Sequence, residues 1–301
     1  MPHYEPLDPI LVTKLLIYWG SWLAFPYLAW LSFRIFKNWS GWDGLSKITA
    51  TIFLAGGLIF IDARFIEPQL LHTRTTVLNL GFKAKIALIS DIHLGIYKRP
   101  SYLKKVVARL NELDVDAVLI AGDLTYHPDR PIEELLAPLR QSRHVILAVL
   151  GNHDEERPGP PVQNAIKSAL AKHGAILLEG RSLDIKGYAV AGLGDMWAGK
   201  DDFSSLPTRN KTRPLIALMH NPDTAMKFSH GDVALAVAGH THGGQIRLPY
   251  LYKKVIPTQY PFDSGLHGFT PAPVYVSSGL GEISLPMRFL NPPAIDVLEI
   301  R

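Results

Sequence analysis

Five short apolar runs, each ending in side chains that can bind metal ions, constrain the fold of this chain most. Each run has the length of a buried strand. Because α/β proteins place their chemistry at the carboxyl ends of such strands, we expect the five ends to meet. The ends are Asp91-Ile92-His93, Gly122-Asp123, Gly151-Asn152-His153-Asp154, His220-Asn221 and His240-Thr241-His242.

Helical patterns separate the first of these strands. They run from Ser101 to Leu113, from Pro131 to Gln141 and from Val162 to His173, with a serine N-cap, a first-turn proline and a closing Gly174 respectively. This alternation indicates a sheet with helices on its faces. Later strand patterns have fewer helices between them, so we predict an α/β fold in which a two-sheet β-sandwich is flanked by helices.

Composition narrows the class of protein. Of 301 residues, 47% are hydrophobic and 19% charged, which leaves material for a core and a membrane segment. The formal net charge is only +4 and no block of five Lys or Arg residues occurs, so no nucleic-acid partner is indicated. The chain has no cysteine, which excludes disulfides and thiolate metal ligands.

The N-terminal region begins with a candidate membrane span. Leu15 to Phe33 forms an uncharged run of 19 residues between Lys14 and Arg34. Pro26 within it would kink a helix, which membrane helices tolerate. A retained anchor is favoured over a signal peptide, because the run is long and no small-x-small cleavage site follows it.

A second apolar run, Ile48 to Ile61, has only 14 residues. It can cross a membrane if its helix continues through Phe65-Ile66; the alternative is a helix lying against the catalytic domain. We therefore predict a membrane anchor over residues 1–70, with spans near 15–33 and 48–66, and a separate domain over 75–301. Three basic residues flank the spans on each side, so their distribution does not fix the topology.

The strand ends carry the chemistry of a metal site. Alternation by two places Asp91 beside His93, and His240 beside His242, on one side of an extended chain. A single loop histidine is usually a surface residue, and Gly122-Asp123 alone is more often a turn. The coincidence of five strand ends favours metal binding. Carboxylate, imidazole and amide ligands without thiolate suit manganese, iron, zinc or another divalent ion.

In order and type, these five blocks resemble the calcineurin-like metallophosphoesterase superfamily over roughly residues 85 to 245. The resemblance implies two divalent ions, most plausibly manganese, with iron, zinc and magnesium as alternatives. Asp123 would bridge the two ions. The remaining ligands would be Asp91, His93 and His242 for the first ion, and Asn152, His220 and His240 for the second.

Such a pair of ions can activate water for in-line attack at phosphorus. His153 is then the candidate general acid or charge-stabilising group, and Asp154 its orienting partner. The alternative interpretation is that both are ordinary residues of a loop that follows a strand.

The tail resembles a membrane-associated bacterial subgroup of the same superfamily. The matching residues are Gly243-Gly244-Gln245, Ser277-Ser278-Gly279-Leu280-Gly281, Pro286, Arg288 and Pro292-Pro293. The subgroup includes a UDP-2,3-diacylglucosamine pyrophosphohydrolase of lipid A synthesis. It often has Glu after the paired prolines, where this chain has Ala294.

The subgroup implies a membrane-anchored phosphohydrolase that cleaves a phosphodiester or pyrophosphate bond of a lipid-linked or nucleotide-linked substrate such as UDP-2,3-diacylglucosamine. Its expected place is the bacterial inner (cytoplasmic) membrane, and the substrate favours the cytoplasmic face. Alternatives are a broad-specificity phosphodiesterase of the cell envelope and a non-catalytic, metal-stabilised binding module.

Several further residues are weaker candidates. The aromatic loop from Ile246 to Thr270 is expected to contact acyl chains or the bilayer, or else to fold back as a satellite core. The stretch Gly194 to Trp197 is a candidate for the pocket wall, and Arg157 for a phosphate contact. Histidines without a patterned partner are interpreted as surface or structural residues: His127, His144, His173 and His230.

Overall fold

A computed structural model describes residues 9–155, 162–203, 206, 213–268 and 270–301. Within these ranges two six-stranded sheets and six α-helices form. The helices are α1 (Pro9–Gly20), α2 (Ala24–Asn38), α3 (Gly44–Ile61), α4 (Pro100–Leu110), α5 (Ile132–Leu136) and α6 (Gln163–Lys172). The strands are β1 (His72–Leu78), β2 (Ala84–Ile89), β3 (Leu94–Gly95), β4 (Ala117–Ala121), β5 (Thr125–Tyr126), β6 (Ile146–Val149), β7 (Ala175–Leu177), β8 (Arg181–Ile185), β9 (Tyr188–Gly192), β10 (Leu215–Leu218), β11 (Leu235–Ala238), β12 (Gly265–His267), β13 (Val274–Val276) and β14 (Ala294–Ile300).

Both large sheets are mixed. The first has the order β1-β14-β2-β4-β6-β7, in which β2, β4, β6 and β7 run parallel and β14 pairs antiparallel with β2. The second has the order β12-β13-β11-β10-β9-β8, with a parallel centre and antiparallel strands at both edges. The predicted α/β class with its two layers of sheet is therefore confirmed.

The sheets pack face to face, and their strands are apolar throughout because both faces of each sheet are covered. In β2, Ile86 and Leu88 join the core between the sheets, while Ala87 and Ile89 join the core beneath the helices. The partners from the second sheet include Val190, Ile216 and Val237.

The outer faces of the two sheets differ. Helices α4, α5 and α6 cover the first sheet. In the described residues the second sheet is covered instead by loop side chains such as Phe228 and Phe262 and by a 3-10 helix, Pro222–Lys227. The expectation of flanking helices thus holds for one side of the sandwich.

The N-terminal region is helical, but not in the predicted pattern. The first apolar run is divided between α1 and α2 by a 3-10 turn, Ser21–Leu23. Pro26 supplies the reason, because its ring would clash with the carbonyl of Trp22 if the α-helix continued. Over the described residues one helix, Gly44–Gln69, is long and apolar enough to cross a membrane: it has 26 residues and contains an 18-residue stretch with a mean hydropathy of 1.7.

The N-terminal helices also contact the two-sheet domain. The ring of Tyr18 on α1 stacks on that of Tyr97 at 5.5 Å. Glu67, which is buried, accepts hydrogen bonds from the backbone N–H groups of Leu290 and Asn291. The C-terminal end of the helix Gly44–Gln69 is therefore packed into the domain, while most of α3, which forms the first part of this helix, is exposed.

Candidate metal centre and its cavity

The seven predicted ligands lie at the carboxyl ends of β2, β4, β6, β10 and β11, and all are buried. The parallel strands of each sheet deliver their ends to one edge of the sandwich, where the two sheets meet. The convergence expected from the sequence is present for all seven residues: Asp91, His93, Asp123, Asn152, His220, His240 and His242.

A first group contains Asp91, His93 and His242, whose ligand atoms lie within 4.8 Å of one another. The Nε2 atoms of His93 and His242 are 3.0 Å apart, and the two rings are nearly parallel. Asp91 Oδ1 lies 3.5 Å from His242 Nε2. Two imidazole nitrogens and a carboxylate oxygen therefore face one point.

A second group contains His220, His240 and Asn152. His220 Nε2 lies 3.1 Å from His240 Nδ1 and 3.2 Å from the amide oxygen of Asn152. His220 Nδ1 donates to the backbone carbonyl of Ala121 at 2.8 Å, which turns Nε2 inward.

Asp123 lies between the two groups. Its Oδ2 is 3.5 Å from His93 Nε2 and 3.3 Å from His220 Nε2, so one oxygen reaches both sides. Its Oδ1 accepts a hydrogen bond of 2.9 Å from the backbone N–H of His153. A carboxylate in this position can bridge two cations.

The backbone at the ligands differs from the sequence-based expectation. Five of the predicted ligands adopt left-handed φ angles between 50° and 71°: Asp91, His93, Asp123, His240 and His242. The expected alternation along an extended chain is therefore wrong. Each such non-glycine residue costs about 1–3 kcal/mol. Tight turns at the strand ends, not strand pleating, aim these side chains inward.

Two glycines next to ligands leave no room for a side chain. A Cβ at Gly122 would lie 2.6 Å from His220 Nδ1, and one at Gly239 would lie 2.7 Å from Asp91 Oδ2. The backbone can therefore approach the ligands closely, which explains the Gly-Asp and Gly-His pairs in the sequence.

Asp154 joins two of the site loops. Its carboxylate accepts backbone hydrogen bonds from Leu124, Thr125 and Gly151. It thereby fixes the turn after Asp123 relative to the turn that carries His153. Its predicted role as an orienting partner of the His153 ring stays a prediction.

Electrostatics put some of the predicted ligands in the protonation states that metal ions need. Burial lowers the pKa of His93 and of His240 to about 3, so both imidazoles are neutral. Burial raises the pKa of Asp123, but the nearby His220, His153 and His93 together outweigh burial and hold that pKa well below the usual value. Burial lowers the pKa of His220, but Asp123, Asp91 and Asp195 together reverse this shift and raise that pKa well above the usual value.

These pKa shifts thus favour a positive charge beside Asp123. A metal cation can replace the proton that His220 would otherwise carry there. Neutral imidazoles, an ionised carboxylate and an amide oxygen converging in a buried space fit divalent metal ions.

A cavity of about 510 Å³ opens onto the ligands. Its polar end is formed by Asp123, Asn152, His153, His240 and His242. Most of the remaining wall is apolar and includes Trp197, Ile246, Val255, Ile256, Pro257, Ile283 and Leu285. A second cavity of about 360 Å³ lies between α1 and Ser284-Leu285, which line both cavities.

The weaker sequence candidates divide into several outcomes. Trp197 lines the cavity, with its ring edge-on to His240 at 4.5 Å. Of the aromatic loop, Phe262 is buried against the second sheet, as expected for a segment that folds back. Ile246 and Val255 line the cavity, and the contact of the loop with acyl chains or the bilayer stays a prediction. Arg157 and the aromatic Phe269 lie outside the described residues.

His144 and His173 make structural hydrogen bonds to backbone carbonyls, as expected. The ring of His127 makes a hydrogen bond with Lys14, a structural contact that does not contradict this interpretation.

Sequence reasoning missed two residues of the site region. Lys14 lines the cavity, although it lies 77 positions before Asp91 in the sequence. It was missed because it looked like the charged residue that flanks an apolar run. Asn291 donates from its side-chain amide to the backbone carbonyl of His242 at 2.7 Å. Its position directly before Pro292-Pro293, within the tail that resembles the bacterial subgroup, was the available signal.

Residues 84–244 match the family described as calcineurin-like phosphoesterase. The chain is 31% identical to the metallophosphoesterase YkuE of Bacillus subtilis, over 79% of this chain and 88% of that one. It is 27% identical to the phosphodiesterase YaeI of Escherichia coli, over 72% of this chain and 82% of that one. It is 28% identical to the UDP-2,3-diacylglucosamine pyrophosphatase LpxG of Chlamydia trachomatis, over 84% of this chain and 96% of that one.

Fold, site and similarity together define a metal-dependent phosphoesterase. The chain belongs to the calcineurin-like metallophosphoesterase family.

Proposed function

We propose that this phosphoesterase is a membrane-associated, dimetal hydrolase of a lipid-linked phosphodiester or pyrophosphate, such as UDP-2,3-diacylglucosamine. The observation that carries the proposal is the lining of the larger cavity: one part is the buried cluster of predicted ligands, and the rest is a largely apolar wall that reaches Lys14 of α1. A polar head and an apolar tail match those two parts.

We assign two ions, of which manganese is the favoured identity, to the two ligand groups. Asp91, His93 and His242 would hold one ion, and the other would be held by the group of His220. Asp123 would bridge them. When bound, such ions supply Lewis-acid polarisation of phosphoryl oxygens and activation of water.

His153 is the proposed proton donor to the leaving oxygen. It lines the cavity, and its ring lies edge-on to that of His93 with 5.2 Å between ring centroids. The hydrogen bond that Asp123 accepts from His153 uses the backbone N–H and not the ring. Asp154 would hold the His153 loop in register through its bonds to the neighbouring turn.

The apolar exterior of the N-terminal helices supports a membrane location. The helix Gly44–Gln69 has the length and composition of a span, and its end packs beside the site through Glu67. We propose the bacterial inner membrane, with the catalytic domain on the cytoplasmic face, where nucleotide-linked lipid precursors carry their head groups.

The test uses full-length protein reconstituted with Mn²⁺ in phospholipid vesicles. UDP-2,3-diacylglucosamine, UDP-N-acetylglucosamine, which lacks long acyl chains, and bis(p-nitrophenyl) phosphate are compared. We expect kcat/KM for the long-chain compound to exceed that for UDP-N-acetylglucosamine by about 100-fold, as burial of acyl carbons in the cavity predicts.

Equal rates on all three compounds would indicate a broad-specificity phosphodiesterase instead. Metal binding without turnover of any of them would indicate a binding module and would overturn the proposal.

A further inference from the structure

Lys14 of α1 reaches the mouth of the catalytic cavity. Its Nζ lies 2.9 Å from His127 Nε2 and 4.6 Å from the centre of the Tyr126 ring. Because an ammonium group can only donate, the imidazole nitrogen accepts this hydrogen bond. The cation is thus held against aromatic rings of the two-sheet domain.

Tyr126 connects this cation to the proposed catalytic groups. Its ring lies edge-on to His93 at 5.4 Å and to His153 at 5.2 Å. The Lys14 ammonium therefore lies one aromatic ring away from the first ligand group and from the proposed proton donor.

Lys14 also marks the junction between the two cavities, because it lines both. Among the residues that line the larger cavity in the described part of the chain, Lys14 is the one lysine or arginine. A positive charge at that junction attracts an anion that enters beside the ligand cluster.

Packing fixes the helix that carries this charge. Tyr18, one turn further along α1, stacks on Tyr97 at 5.5 Å. At the end of α1, Ser21 accepts a hydrogen bond from Arg64 at 3.0 Å. The position of Lys14 is therefore set by the fold of the protein and not by the free swing of a terminal helix.

We propose that Lys14 contacts a second anionic group of the substrate, adjacent to the phosphorus that is attacked. The site then prefers a diphosphate diester over a singly charged phosphodiester that carries the same apolar tail. The inference rests on the proposed hydrolase function and deepens it, since it selects among phosphate substrates.

The test compares two substrates that share one decyl chain: a decyl diphosphate ester of a nucleoside and decyl p-nitrophenyl phosphate. The measured quantity is the ratio of their kcat/KM values. In Lys14→Ala we expect this ratio to fall about tenfold, mainly through a higher KM for the diphosphate, because a hydrogen bond to a charged group is lost. Lys14→Arg should keep the ratio within about threefold of the wild-type value.

Lys37→Ala is the matched control, because Lys37 is an exposed lysine on α2 away from the cavity. A second readout needs no turnover: the affinities of inorganic pyrophosphate and orthophosphate for Mn²⁺-loaded protein are measured by calorimetry. The preference for pyrophosphate should drop in Lys14→Ala and persist in Lys37→Ala.

An unchanged ratio and an unchanged pyrophosphate preference in Lys14→Ala would overturn this assignment. An equal loss in Lys37→Ala would overturn it as well. Absence of turnover on both esters by wild-type protein would overturn the proposed reaction instead, and the affinity measurements would then decide the role of Lys14 separately.

Discussion

The N-terminal helices and the two-sheet domain use apolar side chains in opposite ways. In the domain, strands such as β2 and β4 bury their apolar residues on both faces. In the helices, large side chains such as Trp19, Phe36 and Ile52 are more than half exposed. The domain therefore has a core of its own, whereas the helices leave a large apolar surface uncovered, as the proposed membrane association would require.

The two regions nevertheless meet at the site. Lys14 lines the cavity, and Glu67 holds the backbone of Asn291, whose side chain holds the carbonyl of His242. The comparison teaches that the helices differ from the domain in how they use apolar side chains, yet contribute residues to the surroundings of the same site.

The largest expected effect lies wholly within the domain. Asp123→Asn removes the carboxylate shared by both ligand groups, so bound metal should fall to one ion or none and turnover to below about one-thousandth. Metal content by mass spectrometry and kcat on a soluble diester measure this. Asp114→Asn, at an exposed turn, is the control, and full metal content with full turnover in Asp123→Asn would refute the bridging assignment.

His153→Ala should lower kcat by about 10²–10⁴-fold while both metals stay bound. The ring is lost, but the backbone N–H that bonds Asp123 remains. His144→Ala, which alters a structural histidine bonded to Leu110, should leave kcat unchanged. A normal rate in His153→Ala on a substrate with a poor leaving group would exclude the role of proton donor.

A substitution at the end of the N-terminal helices should have a smaller effect on metal affinity at the site. Glu67→Ala removes the acceptor for the backbone of Leu290 and Asn291, and with it the fixed position of His242. We expect metal affinity to fall about three- to tenfold. This is less than the loss expected when a residue that hydrogen-bonds directly to a ligand side chain is removed. Titration with Mn²⁺ measures it, with the exposed Glu112→Ala as control; equal affinities would mean that the helices and the centre are uncoupled.

Much of the domain is predictable from local pattern, because its strands are continuous apolar runs that end in polar residues. One example is β4, Ala117–Ala121, which is buried throughout and ends directly before Gly122-Asp123. The α5 region is less regular, since a 3-10 helix, Ala137–Gln141, replaces the second half of the predicted α-helix at Pro138. The short pair β3 and β5 has too few residues to show any period.

Some features of the site are likewise predictable from local sequence and others are not. Ligand types and their order are visible in the sequence, because each follows a strand. The left-handed turns at Asp91 and His240 are not, since they depend on tertiary contacts that compensate for their strain. Lys14 and Glu67 could not be predicted, because nothing local shows that a helix before residue 70 packs beside His127 and Asn291.

The central claim is that the two ligand groups each hold an ion at the edge of the sandwich. Anomalous diffraction from crystals of the full-length protein grown with Mn²⁺ tests it most directly. The account predicts two manganese peaks, one beside His93 and His242 and one beside His220 and His240, with Asp123 contacting both. A single peak, or manganese bound away from these histidines, would contradict it.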